Sequence, residues 1–105
     1  GNYVANLEEM SKFSLGSFCN PVKSRGLSGQ REYLSRLICK SGQPPIEFRR
    51  LGSFGPGPYG NTVDGYIIHC KHKFHIEEYT IYMDLYHDHR ELKPIEAFTI
   101  RKDDI

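Results

Sequence analysis

Two stretches of alternating residue character, Val63 to Cys70 and Ile76 to Tyr86, commit this chain to a central β-hairpin. β-Branched and aromatic residues recur in both with a period of two, and the polar segment Lys71 to His75 between them is short enough only for an antiparallel return. A hairpin centred near Phe74 sets residues whose numbers sum to about 148 opposite one another. On that register Val63, Gly65 and Ile67 face Leu85, Met83 and Ile81 as the core side. The other side then carries Asp64 opposite Asp84 and Tyr66 opposite Tyr82, with Tyr86 at one end. A slip of one residue would exchange these partners.

The flanking elements follow from spacing and punctuation. Tyr33, Leu34, Leu37 and Ile38 recur at helical intervals, and Gly42 and Pro44 stop the run, which predicts a helix over Gly29–Ser41. Pro44-Pro45 opens an extended segment from Ile46 to Ser53, and Ala97 to Arg101 supplies a further strand. Asn6 followed by Glu9 resembles a capping signal, which predicts a short N-terminal helix through Leu7 and Met10. Ser14 to Gly29, rich in serine and glycine, reads as an irregular connection. The expectation is a single domain over residues 1–105 of α+β class. Its irregular N-terminal segment, 1–28, precedes one main helix packed on an antiparallel sheet of about four strands, 29–105.

Gly55-Pro56-Gly57-Pro58-Tyr59-Gly60-Asn61 is a rigid turn rather than a phosphate loop. A phosphate cradle needs successive backbone N–H groups and a following Lys-Ser/Thr, and proline removes the donors.

Charge and hydropathy remove other classes. The formal net charge is +1, too small a field to draw the chain onto nucleic acid. No run approaches the ~18 apolar residues of a transmembrane segment, so the chain reads as soluble. It begins Gly1-Asn2 without an initiator Met, which fits either vector residue or a leader already removed. Lys23, Arg25, Arg31, Arg36, Lys40, Arg49 and Arg50 crowd one stretch while acids dominate Glu77 to Glu96. Pairing within the molecule is the plain expectation, and a basic face for an acidic partner the sharper one.

Three groups of residues bear on chemistry. The histidines fall in two clusters, His69 to His75 and His87-Asp88-His89, which the hairpin holds roughly 40 Å apart at about 3.3 Å per residue. They read as solvated side chains; His72 and His75 are the one pair near enough to share a metal ion, and Lys71 and Lys73 oppose it. Asp64 and Asp84, facing one another among tyrosines, are more specific, because facing carboxylates perturb each other's ionisation. With Tyr59, Tyr66, Tyr82, Tyr86 and His87 they form the candidate ligand-binding surface. A small hydrolase using Asp64 or Asp84 beside His87 is the enzymatic alternative, although no serine lies in a nucleophile motif and no cofactor is indicated. Cys39 and Cys70 end a helix and a central strand, where packing could bring them together; three cysteines alone leave the pairing, and the role of Cys19, open.

From about Gly16 to Ile100 the chain resembles a group of small bacterial proteins with no known activity. The likeness is carried by Gly16-Ser17 with Asn20-Pro21-Val22, by Gly29-Gln30-Arg31-Glu32-Tyr33-Leu34-Ser35-Arg36-Leu37 with Cys39, and by Gly52-Ser53-Phe54-Gly55-Pro56-Gly57-Pro58-Tyr59-Gly60. It continues through Asp64, Tyr66 and Cys70 to Tyr82-Met83-Asp84, Tyr86-His87, Pro94 and Phe98. The resemblance implies export behind a signal peptide and a Cys39–Cys70 disulfide, and Cys19 departs from the pattern. The functional expectation is a periplasmic or secreted, non-enzymatic binding module with a protein or small-molecule partner. Clustered tyrosines suit such a role, since they provide contact area at low entropic cost.

Overall fold

The structure is a computed structural model and describes residues 7–88 and 90–101. A short helix α1 (Leu7–Met10) is followed by strand β1 (Val22–Lys23), helix α2 (Gly26–Arg36) and strand β2 (Leu37–Ile38). Three long strands come next, β3 (Glu47–Pro56), β4 (Thr62–His72) and β5 (His75–Asp84), before the short β6 (Thr99–Ile100). Asn6 of the capping signal and His89 lie outside the described residues.

The expected α+β fold, with one main helix on an antiparallel sheet of about four strands, is overturned. Strands account for 44% of the structure and helix for 16%, in a four-stranded mixed sheet and a small second sheet. The main sheet has the order β1-β5-β4-β3, and β1 lies parallel to β5 with Val22 beside Met83. Parallel pairing arises because β1 reaches β5 through the long connection containing α2, not through a hairpin. The second sheet joins β2 to β6, with Leu37 opposite Ile100 and Ile38 opposite Thr99. The fourth expected strand therefore leaves the main sheet altogether.

Helix α2 is also shorter and earlier than Gly29–Ser41. It starts at Gly26, whose φ of 67° suits glycine, and its C-cap Leu37 is already extended. Continuing the helix would withdraw Leu37 and Ile38 from β6 and Cys39 from its disulfide, and tertiary pairing overrides the local helical spacing. Within the supposedly irregular first 28 residues, β1 and the start of α2 are regular for the same reason.

Strands β3, β4 and β5 form where sequence alternation demands, and a two-residue turn at Lys73 and Phe74 closes the hairpin between His72 and His75. Lys73 has a φ of 55°, the left-handed conformation such a turn needs. The resulting register pairs Asp64 with Met83 and Tyr66 with Ile81. Those numbers sum to 147, one less than expected, so β4 turns its other face to the core while Ile81 and Met83 of β5 keep the expected one. Tyr66, Ile68 and Cys70 of β4 join Ile81 and Met83 of β5, Tyr33 and Leu34 of α2, and Ile95 and Phe98 in one buried cluster. Gly65 and Tyr82 lie on the opposite side, where the Phe54 ring covers the space a Cβ at Gly65 would enter and meets Tyr82 edge to face at 5.5 Å.

Cys39 and Cys70 are joined, with Cα atoms 6.0 Å apart across a sequence separation of 31. Closing a loop of that size restricts the unfolded chain and stabilises the fold by roughly 3 to 4 kcal/mol. Replacing both cysteines by serine should lower the unfolding free energy by about that amount in denaturant titration, whereas Cys19→Ser, at an exposed position, should leave the midpoint unchanged.

Candidate functional site

The shifted register divides the candidate surface in two. Asp64 and Tyr66 point to the side covered by α2, and Tyr82 and Asp84 to the other, so the expected facing carboxylates and facing tyrosines do not occur. Each aspartate instead organises its own polar cluster.

Asp64 is buried beneath α2 and accepts three side-chain hydrogen bonds. Gln30 Nε2 donates to Oδ2 at 3.0 Å, while Arg50 Nη2 and Ser53 Oγ donate to Oδ1 at 2.9 and 3.2 Å. The Tyr66 hydroxyl donates in turn to Gln30 Oε1 at 2.7 Å. Burial, and then the charge of Asp64, push the Tyr66 hydroxyl above its ordinary value, so it remains a donor. The network ties helix, central strand and edge strand together, and it occupies both carboxylate oxygens. Gln30 stands in the sequence only as part of the resemblance, because an uncharged polar residue in a helical stretch carries no signal of burial.

Asp84 is fully buried at the far end of β5. Asn61 Nδ2 donates to its Oδ2 at 3.1 Å, the Tyr86 amide donates to Oδ1 at 3.0 Å, and His87 Nε2 lies 3.4 Å from Oδ2. The Gly-Pro turn brings up the rest of this corner. Gly57 N–H donates to the Asn61 carbonyl and Gly60 N–H to the Gly57 carbonyl, a closed loop that presents Asn61 to Asp84 and Tyr59 to His87. The Tyr59 and His87 rings meet edge to face with centroids 4.6 Å apart, and Lys23 Nζ stands 6.0 Å above Tyr59. Tyr86, the residue before His87, is 61% exposed. Sequence reading singled out Tyr59, Asp84, Tyr86 and His87; Asn61 and Lys23 join them only through the fold.

Chemically the corner sets a buried carboxylate beside an imidazole, with the Tyr59 ring against the latter. Ser24 is buried and directs its hydroxyl at the Asp84 main-chain carbonyl, 3.5 Å away. Tyr82 lies apart, between Phe18 and Phe54 in an edge-to-face aromatic row. The His72 and His75 rings do meet across the hairpin turn, with centroids 5.5 Å apart. Among the described residues no group of three His, Cys, Asp or Glu side chains could hold a metal ion. No helix among them is long and apolar enough to cross a membrane.

His69 lies on the outer side of β4 between two neighbours. Its Nε2 is 3.0 Å from Glu78 of β5 and its Nδ1 3.4 Å from Glu47 of β3.

Two measurements check these assignments. Asp64→Ala should cost about 2 to 3 kcal/mol, because Gln30 is left buried without its acceptor, and Asp64→Asn should cost less. The His69 midpoint in an NMR titration should lie above the ordinary 6.5, raised first by Glu78 and then by Glu47. A raised folded value means that this contribution to stability is fully present below the unfolded value and fades as pH rises through the folded one. Glu78→Gln should therefore destabilise at about pH 6 and not at about pH 8.

The chain matches no known protein-family model, no curated protein and no solved structure.

Proposed function

We propose that this protein is a small non-enzymatic binding module that works in the periplasm or among secreted proteins, and that the Tyr59–Tyr86–His87 corner contacts its partner. The carrying observation is the construction of that corner. Asp84 and Asn61 hold His87 and the Gly-Pro turn from beneath, Tyr59 is braced against the imidazole, and Tyr86, next to His87 in the chain, is exposed. Rigid aromatic side chains on a supported loop give contact area with little conformational entropy left to lose on binding.

Two further observations support the compartment and the absence of catalysis. The Cys39–Cys70 bridge is buried and persists most readily where the surroundings are oxidising, in line with the resemblance to exported bacterial proteins. Asp64 is engaged by Gln30, Arg50 and Ser53, so of the acid–base groups that a hydrolase would require only Asp84 with His87 remains, and Ser24 beside them turns its hydroxyl to a main-chain carbonyl.

The test is retention of proteins from envelope and culture-medium fractions of the native cells on immobilised protein. Wild type should retain a defined partner, and Tyr86→Ala should weaken it about tenfold at an unchanged melting temperature, since its ring is exposed. Equal retention by Tyr86→Ala would remove the corner from the interface. Turnover of ester, amide or phosphate substrates that is lost in His87→Ala would replace this reading by the enzymatic one.

A further inference from the structure

The two edges of the main sheet are treated differently. On the β5 side, β1 pairs with Met83 and Asp84, and the Tyr82 amide donates to the Gly16 carbonyl at 2.7 Å, so that edge is covered at its Tyr82–Asp84 end. On the other side β3 is outermost, and its free edge faces solvent. Ile46, Phe48, Leu51 and Phe54 are all exposed along it. Phe48 also walls a groove of about 660 Å³ floored by Leu34 and Tyr66, with the exposed Leu27 of α2 opposite. An open strand edge with apolar side chains is a template for another strand.

The regular part of this edge is short. Pro44 and Pro45 precede it, and a register shift between Arg50 and Gly52 ends it. Five residues remain, Ile46-Glu47-Phe48-Arg49-Arg50, with an aromatic at the centre and opposite charges immediately on either side.

We propose that β3 pairs antiparallel with β3 of a second copy about a twofold axis at Phe48, forming a continuous eight-stranded sheet. In that register Phe48 faces its own counterpart, and Glu47 of each copy faces Arg49 of the other. Arg49 makes no ion pair with any described residue of its own chain. Glu47 meets His69 through Oε2, which leaves Oε1 for the incoming guanidinium. Main-chain bonds and the two Phe48 rings, closing over Leu27 and the groove, supply affinity; the two exposed ion pairs set register. A strand of unrelated sequence would lack this reversed charge order, which is what selects a second copy. The prolines and the bulge restrict pairing to five residues, so association stops at a dimer. None of the residues of the Tyr59 corner takes part, and the dimer stands whether or not that corner binds a partner.

Sedimentation velocity from roughly 1 μM to about 1 mM tests it. Wild type should self-associate as a monomer–dimer equilibrium. At about pH 8, where His69 contributes no ion pair, Glu47→Arg and Arg49→Glu, each setting like charges opposite one another, should each weaken the dimer about tenfold or more while retaining the wild-type melting temperature. Mixing these two variants should restore association as a heterodimer, and the double exchange Glu47→Arg/Arg49→Glu should restore it within one chain. A monomeric wild type over the whole range, single variants that dimerise as wild type does, or failure of the mixture to associate would each overturn the proposal.

Discussion

The two-residue turn at Lys73 and Phe74 decides which side of the sheet every residue of the hairpin occupies. Pairing His72 with His75 carries through nine matched positions to Asp64 and Met83. A turn longer by one residue would reverse the facing of one strand against the other, since side chains alternate with a period of two. All later features inherit this parity: Cys70 faces α2 and can reach Cys39, Asp64 faces Gln30, and Asp84 is left on the opposite side for Asn61 and His87. The buried charges are tolerable because this parity gives each of them donors.

Asp64 and Asp84 show how one residue type is put to two uses by its surroundings. At Asp64 the donors come from helix α2 and from Arg50 and Ser53 of the edge strand β3, and the carboxylate ties the helix to the sheet. At Asp84 the donors come from the Gly-Pro turn and from the chain just beyond β5, so the carboxylate shapes a surface. A carboxylate removed from water needs such partners in either case. Asp64 is thereby tied into the sheet, while Asp84 keeps His87 within 3.4 Å at the surface.

The proposed contact surfaces sit on different parts of the sheet and differ in kind. The Tyr59 corner is a set of side chains braced by a proline-stiffened loop, suited to recognising shape. The β3 edge offers main-chain groups and a symmetric charge order, suited to recognising itself. β1 and Gly16 cover the Tyr82–Asp84 end of β5, next to the Tyr59 corner, and β3 is left open on the other side of the sheet.

Much of the local structure was legible in the residues alone. The alternation of β4 and β5 and the extended segment after Pro44-Pro45 appear near their expected places, and the Gly-Pro turn does so from Gly57, Gly55 and Pro56 still belonging to β3, because turn residues and side-chain periodicity act over a few positions. Register was not legible, because a single residue in the turn reverses the faces and nothing in the alternation distinguishes 147 from 148. Nor was the short life of α2 as a helix: Leu37 and Ile38 have helical spacing, yet pairing with Thr99 and Ile100, some sixty residues away, takes them into a second sheet. By itself, then, the sequence determined the strands, the turns and the residues able to form a disulfide and polar clusters. The tertiary structure decided which of them meet, because contacts between distant segments outweigh the small free-energy preferences of single residues for helix or strand.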